Sequence, residues 1–276
     1  MPPTPFSPMH PFLSTLLSPS LVPYWLGTYA VLFLSWFLAC AFFELCEQRQ
    51  WLRAYALQPS QSPPSWALKR RALEMAALNW AWLPFALFAA APVLRLRFSA
   101  EAPFPPLPLF AVQLVACFLI DDLCFYAYHR VLHVNKRLYV RFHKPHHVFT
   151  APFAWTSHAV HPVEMVLQSV GAMLGPALFG FSLHALWAWY VVRQWQGVLD
   201  HTGLHLPIDP IGWLPGVGGT KFHDEHHQYG EEKTVWRGRR FEDEDDCRVS
   251  LCSACKQYVY SVPWYTVRAG FLRMWF

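Results

Sequence analysis

Eight histidines in three tight groups carry the most distinctive chemistry of this chain: H-R-V-L-H at His129 and His133, H-K-P-H-H at His143, His146 and His147, and H-D-E-H-H at His223, His226 and His227. Imidazole nitrogen is the commonest protein ligand for first-row transition metals. Eight such rings exceed what one ion can use, so the pattern implies a site for two. With 14 His in 276 residues, an H-x-x-H-H box is expected roughly 0.04 times by chance and H-x-x-x-H about 0.7 times. The two boxes are therefore informative by themselves, and the H-x-x-x-H pair gains its weight from lying ten residues ahead of one of them.

D-H-T-G-L-H, from Asp200 to His205, offers two more histidines four apart. Beside a site that needs further ligands, His201 and His205 are read as ligands too. His161, in A-V-H-P-V-E, sits in a turn and reads as a partner to a ligand; His158 is assigned nothing firm, and His184 and His10 read as structural. If one helix runs through the first pair, Asp122, Tyr126, His129 and His133 form one stripe, at i, i+4, i+7 and i+11. Asp122 is then an acceptor that orients an imidazole. Neutral imidazoles leave the charge of two cations unbalanced, which Asp122, Asp200, Asp224 and Glu225 would offset from nearby.

Such a site needs elements to hold it, and the composition says what they are. Hydrophobic residues make up 54% of the chain and charged residues only 14%, with 14 Trp and 22 Phe, the profile of a membrane protein. A net charge of +4 with no basic stripe argues against a nucleic-acid partner. Seven Cys, an odd number without a framework, suit a reduced compartment, and Cys247, Cys252 and Cys255 read as free thiols. Residues 1–20 contain no Lys or Arg and so lack the basic start of a cleavable signal peptide.

Leu21 to Phe43 carries no charge, enough helix to cross a hydrocarbon core of about 30 Å. Further apolar runs extend from Met75 to Leu94 and from Leu107 to about Tyr128. Arg49, Arg53, Lys69, Arg70 and Arg71 lie in the first connection, against Arg95 and Arg97 in the second, which places the first connection and all the histidine boxes on the cytoplasmic face. Met165 to Val192 is uncharged but too short for two spans and a turn. It is expected to be a tilted or re-entrant hairpin that turns between Gly171 and Gly180, broken by Gly175 and Pro176. Pro215 to Gly219 is glycine-rich but lacks the preceding strand of a nucleotide loop, so it reads as a turn and any reductant must come from a partner.

The order H-R-V-L-H, F-H-K-P-H-H with A-P-F following, H-P-V-E, D-H-T-G-L-H-L-P and G-G-x-x-F-H-D-x-H-H, over roughly residues 118–230, resembles the fatty acid hydroxylase/sterol desaturase superfamily, and within it the C-4 methylsterol oxidases. The resemblance implies a multi-pass protein of the endoplasmic-reticulum membrane with two histidine-bound iron ions. It also implies use of O2 and of electrons from NAD(P)H through an external donor such as cytochrome b5. Residues beyond Gly230, with an acidic run from Glu242 to Asp246 and an aromatic end suited to a membrane interface, match nothing of that family's closing segment.

The expected fold is all-α, an integral-membrane helical bundle with a cytoplasmic-facing di-metal site. Its expected parts are two spans in residues 1–106, a hydroxylase-like region with the third span and hairpin in 107–230, and a divergent tail in 231–276. The expected function is oxidation of a sterol-like lipid, with a 4-methyl group the first candidate. Hydroxylation or desaturation of another lipid, or a catalytically silent relative that binds a lipid or partner, are the alternatives. A metal transporter is disfavoured because the histidines gather at the ends of spans rather than within them.

Overall fold

The computed structural model describes residues 18–214 and 218–229. Among these the chain is helical, and the sole strand-like feature is an isolated bridge between Ala56 and Leu204. Three long helices come first. Helix α1, Pro19–Gln48, opens with a 3-10 turn and a π turn before settling into α-helix at Thr28. Helix α2 is Trp66–Arg97 and α3 is Leu107–Val134. All three are long and apolar enough to cross a membrane.

Helix α2 starts nine residues ahead of the apolar run that announces it, because Ser65 caps it by accepting from the Leu68 amide. The charged first turns are thereby helical, and Lys69 pairs with Glu44 of α1 at 2.7 Å. Large apolar side chains point outward from all three helices: Leu38 is 61% exposed, Phe85 75% and Val112 68%. Around a water-soluble protein that surface would aggregate, whereas lipid tails solvate it.

Helices α4, Pro162–Leu178, and α5, Leu183–Leu199, form the expected hairpin. The turn falls at the far end of the expected range, and Gly175 and Pro176 do not supply the break. It falls at Gly180, whose φ of +62° suits glycine, and Pro176 sits inside the last turn of α4. Gly171 and Gly175 serve a different purpose, the seating of α4 on α3. A Cβ at Gly175 would lie 2.8 Å from Cys117 Sγ, and one at Gly171 2.7 Å from Asp121 Oδ1. In lipid, where apolar burial does not drive helices together, small residues that permit close backbone approach decide packing.

The hairpin is locked further by polar groups. Arg193 of α5 donates to Asp121 of α3 at 3.0 Å, and Trp189 donates to the Ala172 carbonyl at 2.7 Å. Helix α3 packs most extensively on α4, and α1 on α5. The last described helix, α6, Gly219–Tyr229, has no comparable backbone packing against any of these. Cys40, Cys46, Cys117 and Cys124 are free thiols. His10, residues 215–217, the three tail cysteines and the acidic run lie outside the described residues.

Candidate metal centre

Helix α3 does continue through the first pair, so His129 and His133 stand one turn apart on one face. After Asn135 the chain makes a short turn and a π turn, Tyr139–His143, that brings His143 back toward α3. His146 and His147 follow at i+3 and i+4. His201 lies just beyond the end of α5, and α6 supplies His223, His226 and His227.

These nine rings form two groups. One contains His129, His133, His143, His147 and His226; the other contains His146, His201, His223 and His227. Within each, one nitrogen per residue lies within 4.8 Å of all the others. Each H-x-x-H-H box divides its members between the two groups, because residues three and four apart on a helical turn diverge by about 100° from one another.

The nitrogens fit cations better than they fit one another. Nε2 of His143 stands 2.9 Å from Nε2 of His129, of His133 and of His147. A neutral ring nitrogen has one hydrogen or one lone pair, so it cannot satisfy three neighbours at hydrogen-bond distance. Nitrogens bound at about 2.0–2.1 Å and at right angles round an ion are separated by roughly 3 Å, which matches this spacing. In the second group, Nδ1 of His146 faces the Ala159 carbonyl at 3.3 Å and Nδ1 of His201 faces the Gly197 carbonyl at 2.7 Å. A carbonyl only accepts, so both Nδ1 atoms carry the hydrogen and both Nε2 atoms are bare. Those two bare nitrogens face each other at 3.4 Å. Two lone pairs so placed repel, and a cation between them removes the repulsion. Nε2 of His226 is likewise buried without a protein partner.

Burial also sets the protonation. It pushes His143, His146, His147, His223 and His227 well below the usual imidazole value, His201 down to about 4 and His226 to about 3. Rings held neutral are rings able to bind metal.

Glu164 is the partner that the sequence reading passed over. Its carboxylate lies 3.0 Å from Nδ1 of His143, and both residues are 1% exposed. It holds that ring with Nε2 turned into the first group. One signal for it was present: Glu164 is the only Asp or Glu between Asp122 and Asp200. His161, expected in this role, instead caps α4 by accepting from the Val163 amide at 3.1 Å.

Two expected residues lie outside both groups. His205 is exposed, because the helix ends at Leu199 and the chain turns through Gly203, leaving the His205 amide to donate to the Tyr55 carbonyl at 2.8 Å. Helical spacing from His201 therefore does not apply. Glu225 projects from the outer face of α6, 3.9 Å from Lys221. Asp224, its neighbour, faces inward, is buried and accepts from Gln58 at 3.0 Å. Asp200 accepts from Gln196 and Thr220, and burial beside Asp209 raises it to about 7. Asp122 is half-buried on α3, while the preceding Asp121 makes the ion pair with Arg193.

A membrane bundle that gathers nine histidines into two adjoining groups at the ends of its helices defines a class of integral-membrane, histidine-site proteins. The chain belongs to the fatty acid hydroxylase family, whose model matches residues 114–242 and so runs past the third box. It is 35% identical to methylsterol monooxygenase 2-2 of Arabidopsis thaliana over 196 residues, covering 70% of this chain and 72% of that one. It is 29% identical to methylsterol monooxygenase 1 of Danio rerio over 218 residues, 76% and 74% of the two chains. A very-long-chain aldehyde decarbonylase of Oryza sativa is 39% identical over 129 residues, 47% of this chain and 48% of the relative. No solved structure matches the chain.

Proposed function

We propose that this protein is an O2-dependent membrane oxidase of a sterol-type lipid, most specifically of a 4-methyl group. The observation that carries the reading is the pair of histidine groups, with bare Nε2 atoms facing each other where only a cation relieves them. When bound there, two iron ions would supply the redox chemistry of O2 activation, with electrons from NAD(P)H through a donor such as cytochrome b5.

The rest falls to the chain. His129, His133, His143, His147 and His226 hold one site, and His146, His201, His223 and His227 the other. Glu164 and the carbonyls of Ala159 and Gly197 fix three of these rings in the tautomer that binds. Asp122, Asp200 and Asp224 supply negative charge beside the site. The apolar walls of the bundle bind the lipid and exclude water, so that the oxidant meets one chosen carbon. The basic residues of the first connection and around the boxes favour a cytoplasmic-facing site, and the family resemblance favours the endoplasmic-reticulum membrane.

Methylsterol monooxygenases of Dictyostelium discoideum, Arabidopsis thaliana and Danio rerio align with two-thirds of the chain or more, whereas the aldehyde decarbonylase, and a second methylsterol monooxygenase of Dictyostelium discoideum, align with about half. That extent favours a sterol over a fatty aldehyde or acyl chain. The test is expression in cells that lack C-4 sterol demethylation, followed by mass spectrometry of their sterols. The 4-methylsterol pool is expected to fall with the wild-type chain and to stay with His146→Ala. An unchanged pool, with the wild-type protein present and carrying metal, overturns the substrate assignment.

A further inference from the structure

Beside the centre lies a group of aromatic rings that take no part in holding metal. Trp36 of α1, Trp80 of α2 and His158, which closes a 3-10 turn at Ala154–His158, touch one another. The Trp36 and Trp80 centroids are 5.1 Å apart, and His158 stacks on the two at 5.2 and 5.1 Å. One peptide unit joins this trio to the metal centre, since the residue after His158, Ala159, accepts from Nδ1 of His146 at 3.3 Å. Trp36 also meets Trp155 of the same 3-10 turn, with centroids 5.5 Å apart. Trp36 and Trp80 are buried, whereas Trp155 is half-buried.

Indole is among the side chains that give up one electron most readily, and its N–H becomes a far stronger acid once it has done so. What each N–H faces therefore decides where an oxidised indole comes to rest. Trp80 Nε1 is buried with no protein partner. Trp36 Nε1 donates to the Ser157 hydroxyl at 3.0 Å, whose own hydrogen goes to the Ala154 carbonyl at 2.8 Å. Neither indole has a base to receive its proton. Trp155 Nε1 donates to Glu44 Oε2 at 3.2 Å, and Lys69 holds Glu44 as a carboxylate at 2.7 Å. Tyr29, whose ring lies 6.0 Å from that of Trp80, gives its hydroxyl hydrogen to the Trp80 carbonyl, so this branch ends without a base as well. Packing accounts for rings in contact. It does not account for their order, in which the one indole of the three that has a base stands at the outer end.

We infer that Trp36, Trp80 and Trp155 form an escape route that carries unused oxidising equivalents away from the centre and ends at Glu44. This goes beyond the oxidase reading and rests on it. When no lipid is in place, Trp36 or Trp80 gives one electron to the oxidised centre and is refilled by one electron from Trp155. Trp155 passes its Nε1 proton to Glu44 and stays as a neutral radical, beside a carboxylate and an ammonium that reach water with 18% and 20% of their side chains exposed. A soluble thiol gives the ring a hydrogen atom, and Glu44 returns its proton to water. Two such passages oxidise two thiols to one disulfide and place two electrons in the centre, where the O2-derived oxidant is reduced with two protons from water. The histidines are thereby spared oxidation by an equivalent that found no substrate.

The test treats the full-length, iron-loaded chain in detergent, without lipid, with hydrogen peroxide, which generates an oxidant at bound iron whether or not the protein uses O2. Peptide mass spectrometry locates the oxidised indoles, and freeze-quench EPR detects the radical. Zinc-loaded chain sets the background, since zinc has no redox chemistry. Trp155 is expected to carry more modification than Trp51 and Trp66, although these are 62% and 72% exposed and a diffusing oxidant would reach them first. Glu44→Gln keeps an acceptor but removes the base, so modification at Trp155 should fall about tenfold and move to Trp36 and Trp80. Trp155→Phe should move it to the same two rings and abolish the outer radical. Iron content at the wild-type level shows that each variant folds.

Modification that follows exposure, with Trp66 above Trp155, overturns the inference, as does modification of Trp155 that is unchanged in Glu44→Gln. Indoles that stay at the zinc background in iron-loaded chain overturn it as well. A second arm replaces peroxide with O2 and a reductant. The same pattern there supports the route and the oxidase reading together. The pattern with peroxide but not with O2 would uphold the route and sink the oxidase reading alone.

Discussion

Glu164 is the residue through which the first histidine group is most exposed to a single change. Its carboxylate is buried with His143 and takes that ring's Nδ1 hydrogen. In Glu164→Ala the ring loses its orientation, and metal affinity should fall about 10- to 100-fold. Glu164→Gln, which keeps an accepting oxygen, should fall less; competition against a chelator measures both. Purified wild-type chain should carry close to two ions, His146→Ala clearly fewer, and His205→Ala as many as wild type, read by metal analysis. The boxes were legible because they sit within single turns, where spacing alone fixes direction. His205 was not, since nothing in D-H-T-G-L-H announces that the helix stops at Leu199. Asp121 and Asp122 differ by one position, yet which of them faces Arg193 depends on how α3 is rotated against the hairpin, a property of packing rather than of sequence.

At the scale of elements, the hairpin depends on closeness. Gly175→Val would thrust two methyl groups into Cys117, where a single Cβ already comes to 2.8 Å. Overpacking of this kind costs about 1–3 kcal/mol, expected as a fall of several degrees in melting temperature in detergent, against no measurable change for the exposed Gly180→Asn, whose positive φ asparagine tolerates. The three long helices were legible from their uncharged runs. Which glycine in Gly171–Gly180 makes the turn was not, because glycine and proline mark both breaks and close contacts, and only the partner helix tells the two apart. If the boxes share one side of the membrane, cysteines placed at Lys136 and Lys221 should react with an impermeant thiol reagent from the same face. Reaction from opposite faces would remove the shared site.

For the molecule as a whole, the centre concentrates rings that resist protonation. Seven of the centre's imidazoles, those outside the long helices, have folded values below the ordinary 6.5, two of them at about 4 and about 3. The unfolded chain therefore binds more protons in this window, and their contribution to stability is full above pH 6.5 and lost as the pH falls toward about 4. Glu164, Asp200 and Asp224, all raised by burial, act in the opposite sense, but are outnumbered. Metal-free protein should melt at progressively lower temperature from pH 6.5 to pH 4, and metal should leave over the same range as protons compete for Nε2. The helix bearing the third box adds a constraint on order in time. With little backbone packing of its own, α6 is attached by His223, His226 and His227 and by the contacts of Asp224 with Gln58 and Thr220 with Asp200. The membrane bundle can therefore assemble before any ion arrives, and α6 closes over it afterwards. Departure of the ions and departure of that helix become one event, so chelation should turn the backbone around Lys221 into a site that trypsin cuts.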